Sequence, residues 1–167
     1  MSTILAIVTG APAWVWAVLA LIIYLGMRAL KPRSGTPARL SVVPGIFLAS
    51  ALGTLLLSSR LSDILLVWLA SCLLGIGIGA SWTMLLRIDI DRTRGIIWMP
   101  GTAFWLVTGL TMFGMRYAIE VYIAFNRNLA QEALWFALPY AVMGLGTGMS
   151  AGWWAALMTR YLRAAEA

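Results

Sequence analysis

The chain reads as an all-α membrane protein: a bundle of five transmembrane helices, amino terminus outside and carboxy terminus cytoplasmic. Three observations predict this. Across 167 residues, 62% are hydrophobic and 11% are charged, too few charges to cover the surface of a soluble domain, in which about a quarter is usual. Five apolar stretches, at about 11–30, 40–57, 64–86, 100–124 and 132–159, approach the roughly 20 residues that a helix needs to cross some 30 Å of hydrocarbon. The intervening loops alternate in positive charge. Nine Lys and Arg residues (28, 31, 33, 39, 87, 92, 94, 160, 163) fall on one side and two (60, 127) on the other, which makes the first side cytoplasmic. The spans and their short connections leave room for one membrane domain over 1–167 and none for a separate soluble one.

Each element follows from local chemistry. The first span opens with Pro12, suited to the first turn of a helix because its missing N–H would have no helical partner there. It has no Lys or Arg before it and Arg28, Lys31, Arg33 and Arg39 after it. That is the reverse of a secretory leader, so the helix is expected to be retained. Lys31-Pro-Arg-Ser-Gly-Thr-Pro-Ala-Arg39 is a connector broken by two prolines. The second span tolerates Pro44 near its start, and Ser62 or Asp63 is placed to cap the third. Between Arg87 and Trp98 the pattern changes to period 2: Arg87, Asp89 and Asp91 alternate with Ile88 and Ile90, and Arg94-Gly95 offers a turn. A short β-hairpin at 87–98 lying on the membrane surface fits that alternation. The fourth span opens at Pro100, and the fifth is long enough to require tilt. Trp14, Trp16 and Trp135 fall near the outer interface and Trp82, Trp98, Trp153 and Trp154 near the inner one, where amphipathic rings sit well.

Three constellations invite a functional reading. Gly144, Gly148 and Gly152 recur every four residues on one face of the fifth helix, as do Ser71, Gly75 and Gly79 on the third. Such small-residue grooves let backbones approach closely where no water drives helices together. They serve packing within one chain or association with a second copy. Arg116 and Glu120 share a face of the fourth helix, roughly 24 and 30 Å from Pro100 at 1.5 Å per residue. Charge at that depth forms an anchoring ion pair, meets an anionic ligand, lipid or partner helix through Arg116, or couples to protons through Glu120. Arg87, Arg92 and Arg94 flank Asp89 and Asp91. The arginines oppose a divalent cation there and favour anionic lipid.

The inventory excludes more than it assigns. There is no histidine and one cysteine, Cys72, so imidazole ligation, a CxxC pair and an intramolecular disulfide are absent. No phosphate-cradling loop, nucleophile elbow or metal-spaced cluster occurs. Neither metal nor cofactor is expected. The net charge of +6 belongs to span ends rather than to a nucleic-acid surface.

The segment Ala11-Pro-Ala-Trp-Val-Trp-Ala-Val-Leu-Ala20 with Leu25-Gly-Met-Arg28, and Pro100-Gly101 opening a span that carries Arg116-Tyr117 and Val121, resembles a family of small, uncharacterised bacterial inner-membrane proteins. More distantly, the arrangement resembles the CcdC-like proteins associated with cytochrome c maturation. The first likeness implies a helical inner-membrane architecture and no chemistry. The second implies an accessory role, since the thiol pair and the haem-ligating histidine are missing. The function expected is a non-enzymatic, multi-pass scaffold, assembly factor or accessory subunit. It would associate with itself or another membrane protein through the glycine-lined faces, amid membrane lipids and without nucleic acid. The alternative is a small oligomeric transporter or channel for an anionic or amphipathic molecule.

Overall fold

The computed structural model describes residues 12–58, 60–91, 93–126, 128 and 132–164. They form five helices and three short strands. The helices are α1 (Ala13–Ala29), α2 (Pro37–Leu56), α3 (Leu61–Leu85), α4 (Phe104–Phe125) and α5 (Ala133–Arg163); the strands are β1 (Arg33–Gly35), β2 (Asp89–Asp91) and β3 (Ile96–Met99).

Helix boundaries shift for identifiable reasons. Pro37 is accepted at the first turn of α2, so that helix starts before Leu40. Pro100 and Gly101 instead continue out of β3, and α4 begins only at Phe104, whose N–H donates to the Thr102 hydroxyl at 3.0 Å. Helix α3 starts at Leu61, ahead of Ser62 and Asp63, so that Arg60 occupies the N-cap position instead of either.

Five helices are present among the described residues, but they are not five equivalent spans. Pro37–Leu56 and Ile64–Leu85 are long and apolar enough to cross a membrane by length and composition. Helix α1 is apolar but has 17 residues, about 25 Å of helix. Helix α4 is diluted by Arg116 and Glu120, and α5 by glycine, threonine, serine and tryptophan. The composition of α5 follows from its position. It packs against α3 along most of its length and also touches α2 and α4, while α1 packs on α4. A helix wrapped by neighbours needs small residues more than lipid-soluble ones. Accordingly Ala137, Val142, Gly144, Thr147, Gly148, Gly152, Trp153 and Leu157 of α5 are buried, whereas α4 has no buried residue.

The charged segment after α3 differs from a free-standing surface hairpin. Strand β3 is the centre of a three-stranded antiparallel sheet, ordered β1-β3-β2. Asp89 lies opposite Trp98, Ile90 opposite Ile97 and Asp91 opposite Ile96, while on the other side Arg33 lies opposite Met99 and Gly35 opposite Ile97. The sheet has a core face because side chains alternate along a strand. Ile97 and Met99 are buried with Trp153 and Leu157 of α5, against Leu40 and Trp105, while Trp98 points away and is exposed. Gly95, at φ +62°, takes the left-handed turn position between β2 and β3 that a side chain would strain.

Consecutive helices alternate in direction. The end of α1 meets the start of α4 through Thr102 N–H to Ala29 O at 2.8 Å. The start of α2 meets the last third of α5 through Trp154 Nε1–H to Ser41 Oγ at 2.7 Å. The end of α3 meets Arg160 of α5. One end of the molecule therefore carries the sheet and its basic residues. The other carries the end of α2 and the start of α5.

Candidate functional site

The two glycine faces meet each other. A β-carbon placed on Gly148 would collide with the Cys72 carbonyl and lie 2.9 Å from the Cys72 Cα; one on Gly152 would collide with the Ile76 carbonyl. From the other side, Gly75 lies against Leu145 O and Gly79 against Met149 O, and Gly144 is against Trp68 O and the Ser71 Cβ. All six residues singled out by spacing thus sit in one contact, between α3 and α5 of a single chain. Of the two uses that the spacing allowed, this is packing within one chain: α3 and α5 fill one another's grooves, so a second copy or another protein using those faces would have to pull them apart. The hydroxyls beside the seam add no cross-helix bonds, since Ser71, Thr83 and Thr147 each donate to the carbonyl four residues back.

At the sheet end, Arg87 and Arg94 are exposed, and Arg92 lies outside the described residues. Asp91 is engaged by its own turn: one oxygen accepts from the Thr93 hydroxyl at 2.6 Å and from Arg94 N–H at 3.1 Å, and Arg94 Nε approaches the other at 3.9 Å. Those hydrogen bonds hold the Asp91 carboxyl below its ordinary range. Asp89 is two residues away on the same strand, and among the described residues no group of acidic, Cys or His side chains could hold a metal ion. Arg33 lies opposite Met99 on the edge strand β1 and is itself exposed. Partial desolvation by its surroundings, with the nearby Arg28 cation, lowers its guanidinium from the ordinary value.

Arg160 has a task that spacing did not reveal. Its Nη1 donates to Thr83 O at 3.0 Å and Leu86 O at 2.8 Å, adding a charged donor to the carbonyls at the end of α3, where Thr83 O also accepts from Leu86 N–H at 3.3 Å. No local signal marks a residue that caps a helix more than 70 positions away in sequence. Arg160→Met is expected to cost about 2–3 kcal/mol through the loss of charge-assisted bonds, read as unfolding in detergent. The exposed Arg163→Met should change stability by less than about 0.5 kcal/mol.

The opposite end holds a half-open cavity of about 250 Å³. Thr54 of α2, Arg116, Glu120 and Ile123 of α4, and Trp135, Phe136, Pro139, Tyr140 and Met143 of α5 line it. Arg116 Nε donates to Glu120 Oε1 at 3.0 Å, with the two side chains 48% and 45% exposed. The pair predicted from the four-residue spacing therefore forms. Because α4 starts at Phe104, its charges lie roughly 18 and 24 Å along the helix. That is nearer mid-helix than a start at Pro100 implies, yet still in the half away from the sheet. The aromatic wall is braced from outside: Tyr122 and Trp135 rings are 4.9 Å apart, and the Arg60 guanidinium sits 4.9 Å over Phe136. Pro139 has no N–H to give, so the carbonyl four residues earlier, on Trp135, lacks its helical donor at the cavity's edge. Sequence reasoning found the ion pair but not Thr54, Trp135, Phe136 or Tyr140, which reach it only through the packing of three helices.

Over 44 residues the chain is 46% identical to an uncharacterised protein of Pasteurella multocida (strain Pm70), a match spanning 26% of this chain and 34% of that protein. The chain thus covers about a third of that relative's length. No protein-family model matches. No solved structure matches either.

Proposed function

We propose that the chain is a non-enzymatic, multi-pass protein of the bacterial cytoplasmic membrane, acting as a scaffold, assembly factor or accessory subunit. One observation carries the membrane placement. The apolar windows of α2 and α3 are only 11% and 22% buried within the protein, whereas an apolar helix of a soluble protein is mostly buried. Val42, Val43, Ile46 and Phe47 on α2 and Leu66, Leu73 and Leu74 on α3 stand exposed. Water would penalise such a surface; lipid would not. In this reading all five helices cross or enter the bilayer, the sheet end is cytoplasmic, and its basic residues meet anionic headgroups. Helix α5, about 46 Å long, extends past the hydrocarbon to support the sheet. Partners, whether copies of this chain or other membrane proteins, would use the outward faces of α2 and α3, because the glycine seam is closed.

A second reading, a carrier of an anionic or amphipathic small molecule, is favoured by the cavity that reaches Arg116.

Fractionation with single-cysteine variants tests the placement. The chain should resist alkaline extraction from membranes. A cysteine at Ser58 should react with an impermeant thiol reagent in intact cells, and one at Thr93 only after lysis. Extraction into the soluble fraction, or equal labelling of both sites in intact cells, would refute it.

A further inference from the structure

We infer that the Arg116–Glu120 cavity binds a zwitterionic head group, an ammonium set on Glu120 and a phosphate or carboxylate set on Arg116. The inference rests on the membrane placement proposed above and not on transport. Three features support it. First, the cavity lining carries one cation and one anion side by side, so a ligand with paired opposite charges leaves neither uncompensated. A simple anion would satisfy Arg116 and be repelled by Glu120.

Second, both partners keep unused capacity. Arg116 commits its Nε–H to Glu120, which leaves the terminal nitrogens of the guanidinium; Glu120 accepts through Oε1, which leaves Oε2. The half-exposure of the two side chains leaves them open to a ligand. The aromatic rings of Trp135, Phe136 and Tyr140 complete the wall, and aromatic faces attract ammonium groups.

Third, size and depth agree. At about 250 Å³ the cavity falls just below the roughly 300–1,000 Å³ of sites that enclose drug-sized ligands, so it suits a head group rather than a whole lipid. Thr54 lies within three residues of the end of α2, and Trp135 to Tyr140 occupy the first two turns of α5. This wall lies at the end away from the sheet, toward the head groups of that leaflet, while Glu120 and Arg116 stand about 8 and 14 Å short of the end of α4. The same chemistry is offered by phosphatidylethanolamine in that leaflet and by free phosphoethanolamine in water.

The test uses the full chain in nanodiscs of equal phosphatidylethanolamine and phosphatidylglycerol, with retained lipid counted by native mass spectrometry. Phosphatidylethanolamine should be retained about tenfold over phosphatidylglycerol, as expected for one added charge-assisted contact. Glu120→Gln should invert the preference, because the site then carries net positive charge. An ion pair with a merely structural role gives no inversion. Glu120→Asp, which keeps the charge, should retain the original preference and guards against a misfolded Gln variant. If the ligand is soluble, free phosphoethanolamine should raise the unfolding temperature of the wild type and not of Glu120→Gln, with no lipid preference. Equal retention of both lipids in wild type and Glu120→Gln, together with no shift by phosphoethanolamine, would overturn the inference while leaving the membrane placement intact. A chain soluble without detergent would overturn the placement, and the phosphoethanolamine titration would then decide the cavity's ligand in water.

Discussion

Gly148→Leu is expected to destroy the fold of the monomer rather than merely dissociate an oligomer. The α3 and α5 backbones touch at this point, with Cys72 O and Cα lying where the first side-chain carbon would go. The obstacle is main chain, which cannot rotate aside as a side-chain tip can. A leucine therefore forces the two helices apart along a seam that also includes Gly75, Gly79, Gly144 and Gly152. Ordinary over-packing costs about 1–3 kcal/mol, when neighbours can give. Here they cannot, and a loss above about 4 kcal/mol is expected, in the range reserved for broken cores. Gly77→Leu and Gly146→Leu are the controls, because a first side-chain carbon at either position meets nothing of a neighbouring helix within 4 Å. They should leave unfolding within about 0.5 kcal/mol of wild type. Unfolding in detergent, followed by circular dichroism, separates the two classes. Similar behaviour of Gly148→Leu and Gly146→Leu would mean that the α3–α5 seam does not exist as described.

The same seam shows how far the sequence could be read. Four-residue spacing marked the two small faces, since one face of a helix is a local property. Which face meets which is not local. It depends on α2 and α4 flanking α5, and hence on contacts between residues more than 60 apart in sequence. The sheet was half legible for the same reason. Alternation from Arg87 to Ile90 announced extended chain, but Arg33-Ser-Gly35 is too short to show a period, so the third strand and the burial of Ile97 and Met99 beneath the sheet went unseen. At the cavity, Arg116 and Glu120 were visible as a pair four apart, whereas its other walls come from two further helices. Hydropathy misjudged the spans in one instructive way. It counted α5 as a span equal to the others, when its glycines and hydroxyls mark the helix most enclosed by its neighbours.

Replacing Leu73 and Leu74 together by lysine is expected to abolish stable membrane integration. Both residues stand at the middle of α3, each 68% exposed. Their surroundings decide the sign of the effect. Were water the solvent, exchanging two exposed leucines for lysines would leave stability within about 0.5 kcal/mol per site and improve solubility. In hydrocarbon each lysine at a helix centre costs about 2.5–3.5 kcal/mol on insertion scales, and snorkelling gives least relief at mid-span. Two together approach 6 kcal/mol, enough to reverse the balance for one span. The expected result is loss of the alkali-resistant membrane fraction and degradation of the chain, with Leu57→Lys, just past the last residue of α2, tolerated. The quantity to measure is the membrane-integrated fraction of each variant at equal synthesis. A double-lysine chain that accumulates as wild type does would show that water, and not lipid, bathes this face of α3, and the proposed location would fall with it.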